Sequence, residues 1–296
     1  LINFIKELKK YNPDIIHAIS LKGILYSCLY FNMFGVKRLI CFITGMGYFF
    51  TNKLKLYELI LKYIILFIIK ITLRSKNTLL IVENNIDKNF FIKDIKIHKS
   101  KIKMFDGAGV NLKKFNSSDG NKKNIVLFPA RVLIEKGINE FLSCANTLSK
   151  KYPDWKFHIA GTMSYKKNQN QFVRKITQKN IIFLGYHKKV HKLFNQSAIV
   201  CLPSYREGFP KSLIEACGSG CAIVTTNVPG CKDAIINNFN GYLCKPRDTV
   251  SLFNKLNSLM GNRKIREKFG KNSRKLALSK YDIKIFVQNN LMNYII

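Results

Sequence analysis

The chain has 296 residues, 47% of them apolar, enough to bury the cores of two ordinary α/β domains. With 50 Lys and Arg against 17 Asp and Glu, its formal charge of +33 favours acidic partners over neutral ones, whether nucleic acid, an anionic membrane or a phosphorylated substrate. Lysine set among Asn and Ile is also what genome composition alone produces, so charge by itself does not choose among these. Eight cysteines (Cys28, Cys41, Cys144, Cys201, Cys217, Cys221, Cys231 and Cys244) lie mostly inside apolar runs with no CxxC pair. That spacing argues against a zinc site and for buried, reduced thiols of a cytosolic protein.

Leu1 already lies inside a lysine-rich helical pattern, LINFIKELKKYNPD, with neither an initiator Met nor a signal sequence, and we expect residues upstream of it. DIIHAIS then reads as a strand ending in a polar loop, LKGILYSCLYFNMF as a helix, and RLICFITGMGYFF as a strand running into a glycine loop. Residues 54–73, LKLYELILKYIILFIIKITL, are interrupted by Lys55, Glu58, Lys62 and Lys70. A charge at mid-bilayer costs about 2.5 to 3.5 kcal/mol, so a spanning helix is not expected. Two alternatives stay open there, a buried domain helix or a helix lying on lipid headgroups. NTLLIVENNIDKNFF reads as strand, loop and helix start, and KIKMFDGAGVNLKKF closes a first domain over residues 1–115. The polar run NSSDGNKKN, within 116–124, is the expected linker.

A second domain over residues 125–280 restarts the alternation of strand and helix, the pattern of a parallel sheet wound by crossover helices. Residues 281–296 read as a final helix that could pack back on the first domain. Within the second domain, EGFPKSLIEACGSGCAIVTT (residues 207–226) puts Glu207 on a loop and Glu215 in the second turn of the helix that Pro210 opens. In a doubly wound sheet such strand-end loops face the ligand crevice. A helix amino terminus suits a diphosphate, whereas a carboxylate can accept hydrogen bonds from both hydroxyls of a vicinal diol. FPARVLIEKGINEFL (residues 128–142) places Arg131 and Lys136 on another strand-end loop that closes at Gly137, where two cations could clamp a pyrophosphate. Diol acceptors beside diphosphate donors describe a nucleotide sugar.

These motifs resemble the retaining glycosyltransferases of family 4, also called group 1. Glu207 and Glu215 match the family's E-x7-E signature in register with Gly208, Phe209 and Pro210, and Arg131 and Lys136 match its basic pair; GAGVNLKKF, the FLGY from Phe183, and LPSYREGFP agree as well. The resemblance implies an α/β GT-B fold, two Rossmann-like doubly wound domains facing across a cleft. It implies that Glu207 contacts the donor hexose near the reacting carbon, that Glu215 holds the ribose hydroxyls, and that Arg131 and Lys136 bind the diphosphate. Gly185 and Tyr186 would border the base, and the N–H groups of Phe209, Lys211 and Ser212 would touch phosphate. No metal or cofactor is implied, and no DxD triplet occurs. On the acceptor side, His17 follows the strand DII where the family carries a histidine near the reaction centre, with Ser20 and Lys22 on the same loop. Thr44, Gly45 and Gly47 belong to a glycine loop, TGMGY, similar to that of branches acting on polyprenyl-diphosphate glycans.

The resemblance therefore implies transfer of a hexose or N-acetylhexosamine, from a UDP sugar by preference, to a lipid-linked glycan at the inner face of an anionic cytoplasmic membrane. The family's first strand and its glycine loop are missing from the chain, so an inactive, truncated transferase is a second expectation. A basic nucleic-acid binder is a third. It would show a binding module or cations interleaved with aromatics, neither of which is seen, and Glu207 and Glu215 would repel a phosphate backbone. Nucleic acid is accordingly not an expected partner.

Overall fold

The computed structural model describes residues 1–46, 54–116, 122–163 and 179–295. The contacts divide the chain into two units, residues 1–107 with 207–209, and residues 108–206 with 210–296.

In the first unit four parallel strands, β1 (Ile15–Ile19), β2 (Arg38–Ile43), β3 (Thr78–Val82) and β4 (Ile102–Met104), lie in the order β1-β2-β3-β4. β3 is buried at all five positions, as its unbroken TLLIV run requires of a strand covered on both faces. Helices α1 (Ile2–Tyr11), α2 (Ser20–Phe34), α3 (Leu56–Thr72) and α4 (Asn85–Lys93) wind this sheet. The core joins Ile24 and Cys28 of α2, Ile65 and Ile69 of α3 and Phe91 of α4 to Leu39, Cys41, Leu80 and Val82 of the strands. α3 buries only one stripe, Ile65, Leu66, Ile69 and Thr72. Leu56, Tyr57, Ile60, Tyr63, Ile64, Phe67 and Ile71 stand exposed, so this helix is not the buried one that its composition also allowed. Among the described residues no helix is long and apolar enough to cross a membrane.

The second unit is a six-stranded parallel sheet, ordered β10-β9-β8-β5-β6-β7. Its strands are β5 (Lys123–Phe128), β6 (Lys156–Ala160), β7 (Ile181–Gly185), β8 (Ser197–Leu202), β9 (Ala222–Thr226) and β10 (Gly241–Cys244). The chain builds outward from β5 through β6 to β7, then returns to the other side of β5 with β8 and continues to β9 and β10. The order reverses between β5 and β8, the switch point at which ligands bind in open α/β sheets. Helices α5 (Ile138–Lys151), α6 (Val190–Gln196), α7 (Lys211–Gly218), α8 (Thr249–Gly261) and α9 (Arg263–Leu276) cover this sheet. One π turn (Ala277–Tyr281) leads from α9 to α10 (Ile283–Ile295).

Residues 108–115, expected in the first domain, count with the second unit because they pack there. The Arg274 guanidinium on α9 donates to the carbonyls of Leu112, Phe115 and Gly218, and Phe115 stacks edge-on with Phe194 at 5.7 Å. α10 also counts with the second unit: Val110 donates to the Tyr281 carbonyl at 2.8 Å and accepts from the Ile283 N–H at 3.0 Å. Most of the expected linker, residues 117–121, lies outside the described residues. All eight cysteines are buried, and none forms a disulfide.

Candidate functional site

In the second unit the loops that follow β5, β6, β7 and β8 are laced into one rim. After β5 the chain presents exposed Arg131, makes a 3-10 turn over Ile134–Lys136, and enters α5 at Gly137. Gly137 has φ 74, and a Cβ there would overlap the Pro203 carbonyl beyond β8, so no other residue fits. The Tyr205 N–H donates to the Glu135 carbonyl at 2.9 Å, and the Tyr205 hydroxyl to Glu140 Oε1 at 2.8 Å. Burial, with the Glu140 carboxylate alongside, pushes that phenol up to about 12. The Arg247 guanidinium lies 4.7 Å above the same ring. On the other side, the Val132 N–H donates to the Thr162 carbonyl and the Gly161 N–H to the Gly185 carbonyl, both at 2.9 Å. Backbone hydrogen bonds thus tie the basic loop to the β8 loop at one end and, through β6, to Gly185 and exposed Tyr186 at the other.

Beyond β8, Pro210 is the N-cap of α7, and no side chain caps that helix. Its first turn carries exposed Lys211 and half-buried Ser212. The end of β8 is braced from β9: the Thr225 hydroxyl donates to the Leu202 carbonyl at 2.7 Å, and the Thr226 hydroxyl donates to the Ser204 carbonyl. Glu215, one turn into α7, is pushed up to about 7 by burial, against the pull of Lys211. A carboxyl poised there gains most from a ligand that supplies hydroxyl donors, since these stabilise its ionised form. Arg131, Lys136, Gly185, Tyr186, Lys211, Ser212 and Glu215 therefore all sit at the carboxyl ends of strands in one sheet, on both sides of its switch point.

Glu207, Gly208 and Phe209 count with the first unit. A Cβ on Gly208 would overlap both the Thr44 carbonyl and Glu83 Oε2, and a Cβ on Gly45 (φ 132) would come within 3.0 Å of the Gly208 nitrogen. The close backbone approach that the Thr44–Gly45 loop permits is thus an approach to this segment. Gly47 lies outside the described residues. The Phe209 N–H, expected on phosphate, is committed to Glu83 Oε2 at 3.0 Å. His17 does not follow its strand but lies within β1, edge-on to Phe42 at 6.0 Å, with its pKa lowered by burial. Ser20 and Lys22 are likewise not loop residues: they begin α2, with Ser20 at φ 71. Glu83 and Asn84 escaped the sequence motifs. Their only signal is an acid and an amide placed directly after the apolar run TLLIV.

The family model described as "Glycosyl transferases group 1" matches residues 110–276, more than half of the chain. The chain belongs to the group 1 glycosyltransferases. Over 98% of its length and 78% of the relative's, the transferase is 28% identical to the N,N'-diacetylbacillosaminyl-diphospho-undecaprenol alpha-1,3-N-acetylgalactosaminyltransferase of Campylobacter jejuni. It is also 28% identical, over 86% of its own chain and 68% of the other, to the UDP-Gal:alpha-D-GlcNAc-diphosphoundecaprenol alpha-1,3-galactosyltransferase of Escherichia coli. Among solved structures, Anabaena HepE in complex with UDP and glucose superposes with a TM-score of 0.80 at 15% identity, covering 99% of this chain and 80% of that one. At that identity the likeness establishes the fold, and the transferase is a GT-B protein of two Rossmann-like domains.

Proposed function

We propose that this transferase moves a hexose or N-acetylhexosamine, with retention, from a UDP sugar to a polyprenyl-diphosphate-linked glycan in cell-surface polysaccharide synthesis. The observation that carries this is the laced rim of the second unit. It gathers two cations, an uncapped helix amino terminus and a half-buried carboxyl at one switch point. Arg131 and Lys136 bind the diphosphate and take up the charge of the leaving group, each bond being worth about 1.5 to 3 kcal/mol. The first turn of α7, with Lys211 and Ser212, adds its N–H groups to the same anion. Glu215 accepts from the ribose hydroxyls, and Gly185 and Tyr186 border the base. Glu207 faces the sugar near its reacting carbon, where its charge stabilises an oxocarbenium-like centre, while His17, Ser20, Lys22, Thr44 and Gly45 serve the acceptor.

The lipid-linked acceptor is supported by the names of the Campylobacter and Escherichia relatives, both of which act on undecaprenyl-diphosphate sugars. UDP is supported by the Escherichia relative's donor. Such an acceptor brings the enzyme to the inner face of the cytoplasmic membrane, where the +33 charge and the exposed apolar face of α3 fit an anionic leaflet.

The test is a screen of UDP, GDP and ADP sugars against undecaprenyl-diphosphate glycans in vesicles, with Glu215→Ala as control. We expect UDP-sugar consumption with the anomeric configuration kept, and a donor KM raised about tenfold to a hundredfold by the substitution. No consumption of any donor, or an inverted product, would reject the proposal.

A further inference from the structure

Glu83 is the first residue past β3 and is 6% exposed. Its Oε2 accepts the Phe209 N–H at 3.0 Å. Both N–H bonds of the Asn84 amide, 2% exposed, are used: Nδ2 donates to the Gly208 carbonyl at 3.1 Å and to Asp87 Oδ2 at 2.9 Å, while Oδ1 accepts the Asp87 N–H at 2.8 Å and caps α4. Two consecutive side chains thus hold both ends, the C=O and the N–H, of the one peptide group that joins Gly208 to Phe209. The fit is close on every side. Gly208 has no room for a Cβ between Thr44 and Glu83, and a Cβ on Gly107 would come within 2.7 Å of the Phe209 ring.

We propose that Glu83 and Asn84 are positioning residues for Glu207, fixing the backbone of the Glu207–Phe209 segment and hence the place from which the Glu207 carboxylate acts. This rests on the transferase function proposed above, in which Glu207 faces the donor sugar. A carboxylate placed a fraction of an ångström off its charge centre loses stabilisation of the transition state more than binding of the ground state, so the defect falls on kcat. The charge of the clamp is itself variable. Burial pushes the Glu83 carboxyl up to about 7, the Phe209 N–H pulls it down, and the Asp87 and Glu207 carboxylates that face it raise it further.

Gly208–Phe209 is the one Gly-Phe step in the sequence, so carbonyl-labelled glycine combined with nitrogen-labelled phenylalanine isolates the Phe209 amide by NMR. In the wild-type protein that resonance is expected to titrate with a midpoint near 7. In Glu83→Gln it is expected to stay fixed. For transfer, Glu83→Ala is expected to lower kcat at least about tenfold while changing the donor KM less than about threefold. Glu83→Gln, which keeps an acceptor for the N–H, is expected to recover most of that loss and to remove any inflection near neutrality from the kcat profile. A Phe209 amide that does not titrate, or Glu83→Ala with wild-type kcat, would overturn the proposal. Should Glu83→Ala fail to fold, the titration and the Gln variant decide. If the wild-type protein consumes no nucleotide sugar yet its Phe209 amide titrates and Glu83→Gln silences it, the clamp stands and the transferase function falls.

Discussion

Glu83 and Glu215 are carboxyls that folding makes reluctant to ionise, both pushed up to about 7 mainly by burial. The linkage has a definite sign. A carboxyl whose folded value exceeds its unfolded value binds more protons when native, so its stabilisation is complete below the unfolded value and is lost as pH rises through the folded one. Over the window from about pH 4.5 to about 7, each group costs on the order of 1 to 3 kcal/mol. We therefore expect the urea midpoint of the ligand-free protein to fall between about pH 5.5 and about 8, and the fall to shrink in the Glu83→Gln, Glu215→Gln double variant. A midpoint flat across that range would contradict it. The four motif residues, Arg131, Lys136, Glu207 and Glu215, are recognisable from spacing because loop chemistry is local. Glu83 is invisible at that level. Its meaning depends on Phe209, which lies 126 residues away and reaches it only in the folded unit.

Among the elements, α3 carries the plainest expectation. Its exposed face repeats at helical spacing through Tyr57, Ile60, Ile64, Phe67 and Ile71, and Lys62 and Lys70 on the same helix are half-buried. Sequence periodicity could not decide between burial and exposure here, since the helix is apolar on nearly every side. The decision came from packing, which uses only the stripe through Ile65 and Ile69. Placing Glu at both Ile60 and Phe67 removes apolar contact and adds repulsion from anionic lipid. We expect at least about tenfold weaker co-sedimentation with phosphatidylglycerol vesicles, with solution stability little changed because both positions are exposed. Retention equal to wild type would remove α3 from the proposed membrane-binding surface. In the second unit, Arg274 satisfies three carbonyls on two separate segments, Leu112, Phe115 and Gly218. Arg274→Met strands them without a donor and should cost about 2 to 4 kcal/mol, read as a lowered thermal midpoint.

At the scale of the whole molecule, the α/β class, the two domains and almost every strand were legible, because alternation of short β-branched runs with amphipathic stretches is written at the spacing of single elements. Their borders were less so. The expected junction near residue 115 moved to 107 because residues 108–115 are held by Arg274 and Phe194, contacts no local pattern announces. The assignment of residues 207–209 to the first unit was equally hidden, since it interrupts a stretch otherwise belonging to the second.

That interruption constrains biogenesis. During synthesis the amino-terminal sheet leaves the ribosome long before the tripeptide that Glu83 and Asn84 hold, so those two polar groups wait, buried or hydrated, while about a hundred further residues are translated at about 5 to 20 per second. The first unit does not reach its final form by vectorial order alone. A separately expressed piece ending at Gly107 would carry an unfilled slot beside β3, and supplying the missing Glu-Gly-Phe stretch in trans is the natural way to close it.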